Sequence, residues 1–252
     1  MSKQNTLIAV AAFLVAGISG SYTALVNGTA AVEPTQTMEK TEFASTDPGF
    51  KPMFTEDSFE GWVQLGGKAK YEIKDGVVTG TCVPGEPNAF MSTGMDYTNF
   101  EMDVEFKVHP KMNSGIQIRS NCYANKTEFK LADGKVKKIP SGRVHGYQVE
   151  IDPSERSYSG GIYDEARRGW LNKLDENEAA RKAFKANEWN HYRIKCDGDH
   201  IQTWINGVAA ADLKDDVNDS GLIGLQVHGA NGRKEMFGST VQWRNIRIKL
   251  LD

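Results

Sequence analysis

Phe100-Glu101-Met102-Asp103-Val104-Glu105-Phe106-Lys107-Val108 alternates apolar and charged side chains almost without error. Successive side chains of a strand point to opposite faces, so the apolar members share one face and the charged members the other. That is the pattern of an antiparallel sheet with one face buried. Working outward, Tyr71-Glu-Ile-Lys, Asp75-Gly76 and Val77-Val78-Thr79 read as a hairpin closed by the Asp-Gly pair that a tight primed turn favours. A second hairpin is predicted from 192–196, a turn at Gly198, and 201–205, followed by Asn206-Gly207. The runs 115–119, 146–152, 222–227 and 241–250 supply further strands. Many short strands separated by turn chemistry define an all-β sandwich or barrel. Residues 175–186 break the rhythm: rich in Glu, Ala, Lys and Arg, they predict one short helix capping an end of the sandwich.

The N-terminus carries Lys3, a weakly polar to apolar run over 7–18, and then Ser19, Gly20 and Ser21. That is a signal-peptide pattern, shorter than the roughly 20 residues that span a bilayer. Cleavage after Ala24 or Ala31 fits it, with an uncleaved anchor as the alternative. We therefore expect a signal peptide over 1–31, a flexible linker over 32–52, and one domain over 53–252. Export to the periplasm or medium follows, with no stable membrane insertion after cleavage. The linker is rich in Glu, Thr, Ser and Pro and cannot bury enough surface to offset its ordering entropy. The net charge of -3, from 30 basic and 33 acidic residues spread along the chain, leaves no basic stripe, so nucleic acid is excluded as a partner. Cys82, Cys122 and Cys196 lack metal-ligand spacing. They read as buried small hydrophobes, with a single disulfide as the alternative in an exported chain.

Three strands carry a second face that is polar without being simply Lys and Glu. Gln117 and Arg119 oppose the isoleucines of 114–119. Gln148, Glu150 and Asp152 oppose Tyr147, Val149 and Ile151, and Gln226 and His228 oppose Leu225 and Val227. If these strands share a sheet, one concave face collects amides, carboxylates, an Arg and a His. Planar amides and carboxylates exchange hydrogen bonds with vicinal hydroxyls, and the titratable groups can move protons, so the expected partner is a small carbohydrate or glycoside. Tyr163 and Trp170, in a segment with the look of a loop folding over the sheet, would stack on sugar rings. His145 and Arg168 are further candidates. Each has a plainer reading as a solvated or core side chain, and Trp62, Trp189, Trp204 and Trp243 are assigned to the core.

With those residues in view, the chain resembles the 3-keto-disaccharide hydrolase domain family. The resemblance is carried by 54–62 (FTEDSFEGW), Asn113-Ser-Gly-Ile-Gln-Ile-Arg119, Gly146-Tyr-Gln-Val-Glu-Ile-Asp152, Gly161-Ile162-Tyr163, Glu188-Trp-Asn-His-Tyr-Arg-Ile-Lys195, Ile205-Asn-Gly-Val208, Gly221-Leu-Ile-Gly-Leu-Gln-Val-His228 and Val241-Gln-Trp-Arg-Asn-Ile-Arg-Ile248. It implies a concanavalin-like antiparallel jelly-roll β-sandwich and cleavage of glycosides oxidised at C3. A C3 ketone acidifies the C2 hydrogen, a base removes it, the C1 substituent leaves, and hydration completes a net hydrolysis. That chemistry needs a base, an acid for the leaving oxygen, and a donor for the enolate oxygen. On this resemblance Glu150 or Asp152 is the base, His228 the acid or second base, and Arg119 the enolate or hydroxyl clamp. Gln117, Gln148 and Gln226 would orient the sugar. No cofactor is implied; a divalent ion held by the carboxylates and His228 would also serve an enolate.

Two other readings stay open at this level. Glu150, Asp152 and Glu155 are spaced like the clustered carboxylates of a jelly-roll retaining glucanase, although Pro153 interrupts that strand. A non-catalytic, lectin-like sugar-binding module is the other.

Overall fold

The computed structural model describes residues 47–55 and 57–252. The expected signal peptide and most of the expected linker lie outside the described residues. The domain begins earlier than residue 53: Phe50 is buried and Lys51–Pro52 pairs with Ile248 and Arg247.

Two antiparallel sheets form the sandwich. In the first, the strand order is Val208–Lys214, His200–Ile205, Asn190–Asp197, Phe100–Val108, Thr240–Leu250, Val77–Thr81 and Lys70–Lys74, with Lys51–Pro52 added on Thr240–Leu250. The second, which carries the site, runs Gly169–Asn172, Ile162–Glu165, Val144–Ile151, Ser114–Cys122, Leu222–Val227, Ala89–Thr93 and Trp62–Gly66. Thr127–Lys130 and Val136–Ile139 make a separate two-stranded hairpin.

The expected alternation builds the core. Phe100, Met102, Val104 and Phe106 from one sheet are fully buried, as are Ile116, Ile118, Tyr147, Val149, Ile151 and Leu225 from the other. Each such side chain contributes roughly 1.5–3 kcal/mol by leaving water. Both predicted hairpins are present, and Asp75 (φ 50°) and Gly76 (φ 72°) adopt the left-handed conformation a primed turn needs. The expected helix is shorter, Glu178–Ala183, with Asn177 accepting from the Ala180 N–H at 3.1 Å as its N-cap.

Some expectations change. Residues 160–171 are not a loop over the sheet but the hairpin Ile162–Glu165/Gly169–Asn172 that extends it. Of the tryptophans assigned to the core, only Trp243 is fully buried. Trp62 packs half-buried against Phe54 (4.3 Å), and Trp189 lies under the Arg244 guanidinium (4.1 Å) on the outer face. Trp204 is half-buried. The charged face of Phe100–Val108 is not simply solvated. Asp103 is buried against Arg193, and Glu105 against Arg244 and Asn245. All three cysteines are free. No helix among the described residues is long and apolar enough to cross a membrane.

Candidate active site

The outer face of the second sheet forms the floor of a cleft of about 840 Å³. Segments 87–88, 110–113, 152–156 and 231–233 contribute to its walls. Register places the floor residues side by side: Gln148 pairs with Gln117 on one flank and Tyr163 on the other, Glu150 with Gly115, and Gly115 with Gln226. Tyr163 pairs in turn with Trp170. The three strands singled out by their polar faces therefore do share one sheet.

Glu150 is 5 % exposed at the cleft floor. Its Oε1 accepts from Asn113 Nδ2 at 2.6 Å and its Oε2 from Gln148 Nε2 at 2.7 Å. Burial pushes its pKa up to about 7, against those two hydrogen bonds, with the Asp152 charge adding to the rise. A carboxyl poised there is close to the optimum for a proton-transfer group at neutral pH.

The glutamines act mostly on one another. Gln148 Oε1 accepts from Gln117 Nε2 at 2.6 Å and from Gln226 Nε2 at 2.8 Å, and Ser120 Oγ donates to Gln117 Oε1 at 2.7 Å. This fixes the Gln148 amide with its N–H toward Glu150. Gly115 makes room for it: a Cβ at that position would lie 2.5 Å from Gln148 Cδ. Gln117 does not line the cleft, whereas Gln148 and Gln226 do. Gln226 Oε1 is buried with no hydrogen-bond partner among the described residues.

His228 lines the same cleft. Its Nδ1 lies 2.7 Å from the Gly229 carbonyl, which can only accept, so the proton sits on Nδ1 and Nε2 is the acceptor. Burial lowers its pKa, opposed by the Gly229 contact and aided by the Arg233 and Arg143 charges. Burial thus favours the neutral ring, with Nε2 as its acceptor. Tyr163 and Trp170 stand edge-to-face at 5.3 Å on the cleft wall. Burial, then the nearby Glu165 and Glu150 charges, raise the Tyr163 phenol.

Four expected site residues do other work. Asp152 borders the cleft, but its carboxylate is occupied: it accepts from the Ser154 N–H (3.1 Å) and Oγ (2.6 Å), Arg156 Nε (2.8 Å) and the Tyr158 N–H (3.3 Å), pinning the turn 152–158. Arg119 leaves the cleft face altogether. One extra residue bulges its strand between the pairs Ser120–Leu222 and Gln117–Gly224, and Arg119 at φ 43° turns away to donate to Thr98 O, Gly198 O and Asn99 Oδ1. His145 packs against the Tyr123 ring at 5.2 Å in a separate, smaller cavity. Arg168 forms ion pairs with Asp164 and Asp215 beside the cleft rather than in it. Glu155 is exposed and does not line the cleft, so the three-carboxylate glucanase arrangement is not assembled.

The cleft also holds residues not singled out from sequence: Asn113, Lys111, Arg143 with Glu165, Arg156 and Arg233. Asn113 was within reach, since it immediately precedes a polar-faced strand. The others sit on loops or strand ends where no periodicity marks them. Among the described residues no group of three or more His, Cys, Asp or Glu side chains is placed to hold a metal ion.

The jelly-roll sandwich thus carries a polar, carboxyl-bearing cleft on one of its sheets. The chain belongs to the 3-keto-alpha-glucoside-1,2-lyase-like domain family, which it matches over residues 49–249. No curated protein matches it. Among solved structures it is similar to a candidate glycosyl hydrolase from Parabacteroides distasonis, at 19% identity and TM-score 0.50 over 81% of this chain and 94% of the other. A second candidate glycosyl hydrolase from that organism shows 22% identity and TM-score 0.49 over 80% and 99%. A Bacillus subtilis protein of galectin-like fold aligns at 11% identity and TM-score 0.54 over 80% and 94%. The first and third of these likenesses support the fold.

Proposed function

We propose that this domain cleaves 3-keto-glycosides by removing the C2 proton and expelling the C1 substituent, with Glu150 as the base. The observation that carries the reading is a buried, doubly hydrogen-bonded carboxyl with a pKa of about 7 on the cleft floor of a member of the 3-keto-alpha-glucoside-1,2-lyase-like family. The C2 hydrogen passes to Glu150 as its C–H electrons form the enolate of the C3 ketone. That enolate collapses to a C1–C2 double bond as the C1–O bond breaks, and the leaving oxygen takes the proton that Glu150 received, which restores the carboxylate. Water added to the double bond completes a net hydrolysis. Arg233 and Lys111 supply positive charge in the cleft for the enolate oxygen. Tyr163 and Trp170 flank the ring. The neutral His228 serves as a second base, positioned to activate the water that adds. The signal-peptide pattern of 1–31 supports action outside the cytoplasm, in the periplasm or the medium.

The test is product analysis with matched glucosides, each with and without a C3 ketone. Release of aglycone only from the ketone member, abolished in Glu150→Gln, is expected. Release from both members would make the domain an ordinary glycosidase. Binding without release from either would make it a lectin.

A further inference from the structure

A second groove of about 430 Å³ shares one lining residue with the cleft, Tyr163. Its walls carry Lys135, Lys137, Arg167 and Arg168, with Leu131 from the separate hairpin, and no carboxylate. The acids that balance these cations lie outside the lining. Asp164 holds Arg167 (2.7 Å) and Arg168, Asp215 holds Arg168 (2.7 Å), and the exposed Asp133 meets Lys135 (2.8 Å). Exposed pairs of the last kind contribute little. Lys137 has no carboxylate within ion-pair distance among the described residues. Arg167 is buried, its guanidinium over the Phe129 ring at 4.9 Å, and its Nη2 has no hydrogen-bond partner among the described residues. Arg167 thus sets a fixed positive charge behind the groove wall, and the part-exposed Arg168 with Lys135 and Lys137 presents the donors an oxyanion would meet.

Tyr163 sits one strand across from Glu150 and two residues along from its direct neighbour, a diagonal of about 7–8 Å. A glycoside whose C1–C2 bond lies at Glu150 would bring its next unit to Tyr163, the residue that also borders the groove. We propose that the groove is a subsite for an anionic leaving group, a carboxylate or a sulfate ester on the sugar released. This rests on the reading of the cleft given above: the oxidised ring is itself neutral, so the anion belongs to its leaving group.

Isothermal titration of the full chain with three unoxidised disaccharides tests it: glucosyl-glucose, glucosyl-glucuronate, and glucosyl-glucose carrying a sulfate ester. At low salt one of the charged ligands binds about tenfold tighter than the neutral one, and the advantage shrinks as salt rises. Lys137→Glu, at an exposed position, brings the charged-to-neutral affinity ratio close to one, and Lys137→Gln lies between. The tighter charged ligand identifies the source, uronate or sulfate ester. Equal affinity for neutral and charged ligands, binding of none, or an unchanged ratio in Lys137→Glu overturns the subsite. Release from a neutral 3-keto-glucoside without any anionic preference refutes the subsite alone. Anionic preference without release from any ketone refutes the proposed reaction alone.

Discussion

Gln148 Nε2 donates to Glu150 Oε2 across 2.7 Å, and the Gln148 amide cannot turn over, because its carbonyl already receives Gln117 and Gln226 at 2.6 and 2.8 Å. A buried amide held at three points is a positioning device: it stabilises the carboxylate form of Glu150 and fixes the direction of its free lone pairs.

Removing that donor changes a titration, not only a rate. In Gln148→Met the Glu150 carboxylate loses one of its two side-chain donors, so its pKa rises further above the present value of about 7. A hydrogen bond to a charged group contributes about 1.5 kcal/mol or more, equivalent to roughly one pKa unit. Since the base must be ionised to act, the acidic limb of the kcat/KM profile moves to higher pH by about that amount. A limb that stays in place while kcat falls would mean that Gln148 contacts the sugar and leaves Glu150 untouched.

The same carboxyl leaves a signature in stability. Its pKa rises from the ordinary 4.5 to about 7 on folding. Between those values the native state holds a proton that the unfolded chain has released, so stability falls as pH rises through this window and levels off above it. The fall amounts to roughly 3 kcal/mol. Glu150→Gln removes this dependence, although its amide can accept only one of the donors Asn113 and Gln148. Urea unfolding of both proteins from pH 4 to 8 measures the difference between the two curves, in which other titrating groups cancel. A flat difference would show that Glu150 is not raised.

Periodicity made the core legible and the cleft partly so. Alternation in 146–152 assigns Tyr147, Val149 and Ile151 to the interior, where all are fully buried. By the same rule it turns Gln148 and Glu150 toward the cleft. What alternation cannot register is a bulge. Arg119 follows Gln117 by two residues, yet the extra residue at that point sends it to the other side of the sheet. Nor does it show whether a polar group is already satisfied. Asp152 has the right position and the right chemistry, but its lone pairs are taken by its own turn. Arg143, Arg156 and Arg233 reach the cleft from a strand entry and from loops, where residue type alone does not separate a site from a solvated surface. Tyr163 and Trp170 were legible as aromatic wall, but their hairpin was not, because Ala166 at φ 61° supplies a turn conformation that its residue type does not announce.

Arg119 offers the sharpest separation of a structural role from a catalytic one. Its guanidinium donates to Thr98 O (2.7 Å), Gly198 O (2.6 Å) and Asn99 Oδ1 (3.1 Å), and Asn218 Nδ2 donates to its backbone carbonyl at 2.7 Å. It therefore ties the turn at Gly198 in one sheet to a strand of the other. Arg119→Met keeps much of the buried stem but removes the donor from two carbonyls, Thr98 O and Gly198 O, while Asn99 Oδ1 keeps the Gly198 N–H at 3.0 Å. Because Thr98 and Gly198 are exposed and water can replace part of the loss, the cost is roughly 1–2 kcal/mol. The expected result is a lower urea midpoint together with an unshifted pH–rate profile and an unchanged KM, because none of the groups it holds lines the cleft. A variant of full stability with a depressed kcat would instead return Arg119 to the reacting atoms, and would require the bulge to open in solution.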